Sequence, residues 1–171
     1  MTFGESKTFM KGVTSTDDQA RRVFDAALED GVNLVDTANV YGDGASERMV
    51  GAWIKGKRDR VLVATKCRFP FDMGLRQPGP HDQGLSRKHI MEACEASLRR
   101  LDVETIDLYQ VHMQDRSVGI EETLRALDDL VSQGKVRYIG CSNYTGYRLV
   151  EALSVAERRR TCLLYTSPST R

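Results

Sequence analysis

Cysteine is sparse in this sequence, and none of Cys67, Cys94, Cys141 and Cys162 falls into a C-x-x-C pair. That excludes the usual spacing of a zinc site or redox dithiol and reads as free thiols in a reducing compartment. No apolar run approaches the roughly 20 residues a membrane helix needs. The opening MTFGESKTFMKG also lacks the apolar centre of a secretory signal. Charge of one sign is missing too: 25 Lys and Arg against 24 Asp and Glu leave a formal net charge of +1. The balance offers no basic stripe for nucleic acid and no acidic solvating tail. The expected protein is cytoplasmic and its partner a small molecule, with no membrane, nucleic acid or metal involved. No G-x-G-x-x-G opens a helix, so the Rossmann grip on a dinucleotide is excluded as well.

What is present is a repeated alternation over a length suited to one domain. STDDQARRVFDAALEDG offers Thr16 as N-cap with Gln19 three residues on. Ala20, Val23, Phe24, Ala27 and Leu28 follow at helical spacing before Gly31. VNLVDT then reads as a short buried strand. Met49, Val50, Trp53 and Ile54 mark a second helix, VLVATK a second strand, and a third helix begins after Ser86. In that helix Ile90, Cys94, Ser97, Leu98 and Leu101 face inward. IDLYQVH is the next strand, followed by a helix from Ile120 to Gly134, the strand VRYIGCSN and the helix YRLVEALSVAE. Such a rhythm predicts parallel β/α units. The Gly/Pro-rich stretch FPFDMGLRQPGPHDQG between Cys67 and Leu85 predicts a functional loop, with His81 and, in the early helical turn, His89 as surface residues.

Each strand-like run closes on a chemically capable residue: Asp36, Lys66, His112, and Ser142 with Asn143. In parallel β/α sheets all C-terminal strand ends open on one face, so these residues are expected to converge, with Tyr41 in the loop after Asp36. A lysine ammonium near a phenol favours the phenolate, and an aspartate keeps that ammonium charged. The expectation is a Tyr41 of lowered pKa that donates a proton, with a neutral His112 holding a carbonyl oxygen beside it. A nicotinamide would supply the hydride. Taken singly, each residue has a plainer role: Asp36 as a turn or cap, Tyr41 as a surface aromatic, Lys66 as a solvated strand terminus, His112 as a core or rim histidine, and Ser142 and Asn143 as helix caps.

Four ordered segments carry a family resemblance. VNLVDTANVYGDGASERMVGAWI resembles the aldo-keto reductase block D-T-A-x-x-Y-G followed by S-E. VLVATKC is similar to that family's lysine strand, LDVETIDLYQVHMQD to its D-L-Y-x-x-H strand, and GKVRYIGCSNY to its G-K-x-R-x-I-G-x-S-N block. The resemblance implies a (β/α)8 TIM barrel, NADPH or NADP as cofactor, and reduction of an aldehyde or ketone. It gives Asp36, Tyr41, Lys66 and His112 the catalytic tetrad roles, with Tyr41 the general acid. Asp36, Ser142 and Asn143 are the cofactor-side residues, the last two on the nicotinamide carboxamide. MTFGE points to the bacterial aryl-alcohol dehydrogenase-like and general stress reductases.

Barrels of this type take roughly 250 residues or more. The expectation is therefore a partial barrel of four to five β/α units, residues 1–160 forming the reductase part. The final TCLLYTSPSTR, residues 161–171, does not match the family and resembles translated adapter read-through from sequence assembly. Three readings compete with an active reductase. One is a Schiff-base lyase on Lys66. Another is a binding or regulatory protein that keeps the reductase fold, and the third is an inactive truncated piece.

Overall fold

The computed structural model describes residues 17–71 and 77–162, and the backbone of residues 165 and 166. Strands and helices alternate: α1 (Asp17–Glu29), β1 (Leu34–Asp36), α2 (Ala45–Ile54), β2 (Leu62–Cys67), α3 (Arg87–Leu101), β3 (Ile106–Val111), α4 (Ile120–Ser132), β4 (Val136–Cys141), α5 (Gly146–Arg159) and β5 (Tyr165–Thr166). The five strands form one sheet in sequence order, and every neighbouring pair is parallel. These are the parallel β/α units that the alternation predicts, arranged as the partial (β/α)8 barrel that the resemblance implies. Thr16, the expected cap of α1, lies outside the described residues.

Local chemistry sets the helix ends. The Ser86 hydroxyl accepts the His89 N–H at 3.3 Å and so satisfies one of the free donors at the start of α3. The same helix stops where Asp102 turns left-handed at φ 53° and its N–H returns to the Leu98 carbonyl. Between α2 and α3 a glycine allows close contact: a Cβ on Gly51 would stand 2.3 Å from the Leu101 carbonyl oxygen.

Register assigns the two sheet faces. Val63, Thr65 and Cys67 of β2, Tyr109 and Val111 of β3, and Ile139 and Cys141 of β4 lie buried on the parity that meets the helices. Ile90, Cys94, Leu98, Leu124, Leu127 and Leu130 close the core from the other side. Burying a side chain of this size contributes about 1.5–3 kcal/mol. Cys67, Cys94 and Cys141 are buried free thiols, and burial pushes the first two up to about 12 and the third to about 11. The opposite parity, with Leu34, Leu62 and Tyr138, forms the inner face of the barrel wall, where these three side chains are 47%, 46% and 56% exposed.

Three expectations require correction. His89 is 6% exposed and not a surface residue; its Nδ1 lies 3.1 Å from the His81 carbonyl, so the loop before α3 folds back over the first helical turn. His81 is exposed, as expected. Val23, expected to face the core, is 48% exposed, because the described part of the sheet ends at β1 and its flank is open. The segment after α5, expected to lie outside the reductase part, nonetheless adds a short strand: Tyr165 and Thr166 pair with Gly140 and Cys141. A free β4 edge templates such pairing through its unmet N–H and C=O groups.

Candidate active site

Asp36 ends β1, Lys66 is the penultimate residue of β2 and His112 follows β3 directly, so three neighbouring strands bring these side chains to one rim. Lys66 is 4% exposed. Its Nζ donates to Asp36 Oδ2 at 2.5 Å and to the Thr37 carbonyl at 2.9 Å. The other Asp36 oxygen accepts from Gln110 Nε2 at 3.0 Å. The carboxylate is thus held from two sides. Sequence reading missed Gln110. Its signal was a polar residue near the end of a largely apolar strand, on the same sheet parity as Lys66, which it faces in register.

Tyr41 sits in the turn between β1 and α2, with its ring 5.3 Å from the Lys66 ammonium and 5.6 Å from the His112 ring, edge-on at 84°. Several bonds fix this turn. The Thr37 N–H donates to the Ala64 carbonyl and the Asn39 N–H to the Lys66 carbonyl. The Thr37 and Ser46 hydroxyls meet at 2.8 Å. Next to Ser46, the fully buried Glu47 accepts Thr65 Oγ1 at 2.7 Å and Arg100 Nε at 2.6 Å. Asn39 Nδ2 donates to the Phe69 carbonyl at 3.0 Å, and the Phe69 ring packs edge-on against His112 at 5.1 Å. The expected functional loop therefore reaches the site through Phe69; residues 72–76 lie outside the described part.

The electrostatics agree with one expectation and correct another. His112 is lowered to about 4, by burial first and then by the Lys66 charge, with Asp36 opposing and Arg68 adding to the shift. It is neutral near pH 7. Tyr41, by contrast, is raised and not lowered: burial disfavours the phenolate and the Asp36 charge adds to it. The Lys66 ammonium points at Asp36 and the Thr37 carbonyl, so its field at the phenol is largely cancelled.

Ser142 and Asn143 follow β4, beside His112. The Ser142 N–H donates to the Val111 carbonyl at 2.9 Å, and Asn143, left-handed at φ 54°, sends its Nδ2 to the His112 carbonyl at 2.9 Å and to Ser142 Oγ at 3.0 Å. Neither caps α5, where Thr145 holds the N-cap position without a side-chain bond. A hydroxyl that accepts from Asn143 keeps its own proton to donate, which suits a carboxamide oxygen. Buried His112 Nδ1, Gln110 Oε1 and Asn39 Oδ1 have no hydrogen-bond partner among the described residues, so the rim carries polar capacity for a ligand. Among the described residues no group of three or more His, Cys, Asp or Glu is placed to hold a metal.

Comparison with known proteins agrees with this geometry. The sequence profile of the Aldo/keto reductase family matches residues 1–163. The chain is 39% identical to an uncharacterized oxidoreductase, YrpG, of Bacillus subtilis, over 91% of this chain and 49% of that protein. It is 47% identical to the aldo-keto reductase YhdN of the same species, over 70% of this chain and 35% of that protein. A protein of Arabidopsis thaliana named as a probable voltage-gated potassium channel subunit beta is 37% identical over 82% of this chain and 42% of its own length. The chain spans about half the length or less of these curated relatives. With the profile match over nearly the whole chain and the strand-end arrangement both in place, the chain belongs to the aldo/keto reductase family.

Proposed function

We propose that the full-length protein reduces an aldehyde or ketone to an alcohol with NADPH, Tyr41 giving the proton. The observation that carries this reading is the Lys66–Asp36 contact at 2.5 Å, set beside a Tyr41 ring that packs on a neutral His112. A reduced nicotinamide, when bound, supplies the hydride. Ser142 and Asn143 would hold its carboxamide, with Asp36 on the same side of the site. The preference for NADPH over NADH comes from the family resemblance.

A phenol raised above its ordinary value stays protonated through neutral pH, so Tyr41 carries a proton to give whenever a carbonyl oxygen gains negative charge. His112, uncharged, can offer a ring N–H to that oxygen without competing as an acid. Asp36 and Gln110 hold Lys66 in place with its ammonium 5.3 Å from the Tyr41 ring. The ion pair also disfavours the Schiff-base alternative, which needs an uncharged Lys66. Borohydride trapping of a carbonyl compound on Lys66 would contradict the reductase reading.

Loss of NADPH absorbance with 4-nitrobenzaldehyde, followed for the full-length protein and for Tyr41→Phe, tests it. Turnover that falls by a factor of about 100 or more in the variant is expected, within the range general acid catalysis contributes. A binding or regulatory role is favoured by likeness to a channel-subunit protein, and a wild type that binds NADPH yet turns over no aldehyde or ketone would select it. The partner is a small carbonyl compound and the setting the cytoplasm. No helix among the described residues is long and apolar enough to cross a membrane.

A further inference from the structure

Arg68, directly after β2, has a backbone φ of 128°, a region that non-glycine residues rarely occupy. Such strain persists only where its surroundings fix it. Here the Arg68 carbonyl accepts the Gly84 N–H at 2.8 Å, while one residue earlier the Cys67 carbonyl accepts the His112 N–H at 2.8 Å. The backbone is clamped on both sides of the strand end, and the side chain is directed over Phe69, its guanidinium carbon 4.8 Å from the ring centroid. Phe69 packs on His112 and His112 on Tyr41, so one continuous stack leads from the guanidinium to the phenol.

Among the described residues the charge on Arg68 has no acid partner, unlike four arginines set into the fold. Arg58 is paired with Asp107, Arg100 with Glu47, Arg148 with Glu151 and Arg159 with Glu121. Arg68 makes one long bond, from Nε to the Gln114 carbonyl at 3.4 Å, and no ion pair among the described residues. Two acids of the same network are engaged elsewhere. Asp36 holds Lys66 and Gln110, and Asp115 accepts from Leu85 and Ser117. The Arg68 field reaches both Asp115 and His112. A half-buried guanidinium whose terminal nitrogens are uncommitted among the described residues suits bidentate capture of a carboxylate.

We propose that Arg68 makes this site selective for carbonyl substrates that also carry a carboxylate, with Phe69 supporting an aromatic or other flat body between the two groups. This rests on the reductase reading above. The shared chemistry is an anion, and its source could be the substrate or a cofactor phosphate; the uncommitted group at the far end of the Tyr41–His112–Phe69 stack favours the substrate.

The test compares 4-carboxybenzaldehyde with its neutral counterpart, methyl 4-formylbenzoate, on the full-length protein, taking the ratio of kcat/KM for acid over ester. Arg68→Met is expected to lower that ratio about tenfold or more, mainly through KM for the acid, and Arg68→Lys to recover part of it. An unchanged ratio overturns the proposal, and so does a rise in KM for NADPH with the ratio intact, which would assign the guanidinium to the cofactor. Benzoate binding by titration calorimetry supplies a readout without turnover: tenfold weaker binding to Arg68→Met is expected, and equal binding refutes the anion site. Benzoate that binds through Arg68 in a protein reducing no carbonyl would sink the reductase reading alone.

Discussion

Replacing Gln110 by glutamate exchanges one N–H donor for a titrating oxygen, almost without change of shape. In the native site Gln110 Nε2 gives Asp36 Oδ1 a hydrogen bond of 3.0 Å. Bonds to charged groups contribute about 1.5–3 kcal/mol. With Gln110→Glu protonated, its O–H can make the same bond; once it ionises, two carboxylates face each other at about 4 Å, a repulsion of about 4 kcal/mol at an effective dielectric near 20. Burial and Asp36 both raise the pKa of the introduced acid in the folded protein above its unfolded value of about 4.3. Between those two values the folded state binds more protons than the unfolded one, so stability falls as pH rises. The expected outcome is a Gln110→Glu protein close to wild type near pH 5 that loses kcat/KM and melting temperature on the way to pH 8. Gln110→Leu should instead be about tenfold or more slower at every pH, since it lacks the bond throughout. Parallel pH–rate and thermal-melt series on the three forms check this; superimposable Gln110→Glu and wild-type profiles would show that the bond to Asp36 positions nothing.

Two further outcomes follow from the same structure. His112, lowered to about 4 in the fold against an ordinary value near 6.5, should stay uncharged through neutral pH. The unfolded chain binds the extra proton first on acidification, so the His112 contribution to stability is intact above about 6.5 and is lost as pH falls toward 4; NMR titration of its ring protons near 6.5 would contradict the burial argument. Gly51→Ala drives a methyl to 2.3 Å from the Leu101 carbonyl and forces α2 from α3, for a cost of about 1–3 kcal/mol that thermal unfolding would register; an unchanged melting temperature would mean the helices part freely.

The fold was legible because buried parallel strands and amphipathic helices have different periods, and three changes of period were marked by Gly31, Ser86 and Gly134. Asp36, Lys66 and His112 were legible for a related reason: strand ends in parallel units share a face whatever the loops do. What escaped depended on direction in space. The Lys66 charge lies next to Tyr41 in any reading, but only coordinates reveal that the ammonium is spent on Asp36 and the Thr37 carbonyl, which turns the expected drop in the Tyr41 pKa into a rise. Gln110 was absorbed into a strand-like run, and Arg68 drew no reading at all. His89 was misplaced because the irregular loop before α3 covers it, and no periodicity encodes such a cover.

The three interior thiols give the molecule a gauge of its own opening. Cys67 and Cys94 sit at or near zero exposure on opposite sides of the sheet–helix layer, and Cys141 lies at the end of β4, each with its reactive thiolate suppressed by burial. Alkylation needs a thiolate in contact with reagent, so each thiol reacts only in the fraction of time its own region is apart. A label on Cys141 that arrives before those on Cys67 and Cys94 would time the loosening of the β4 edge separately from collapse of the whole wall, with no reporter group added to the sequence.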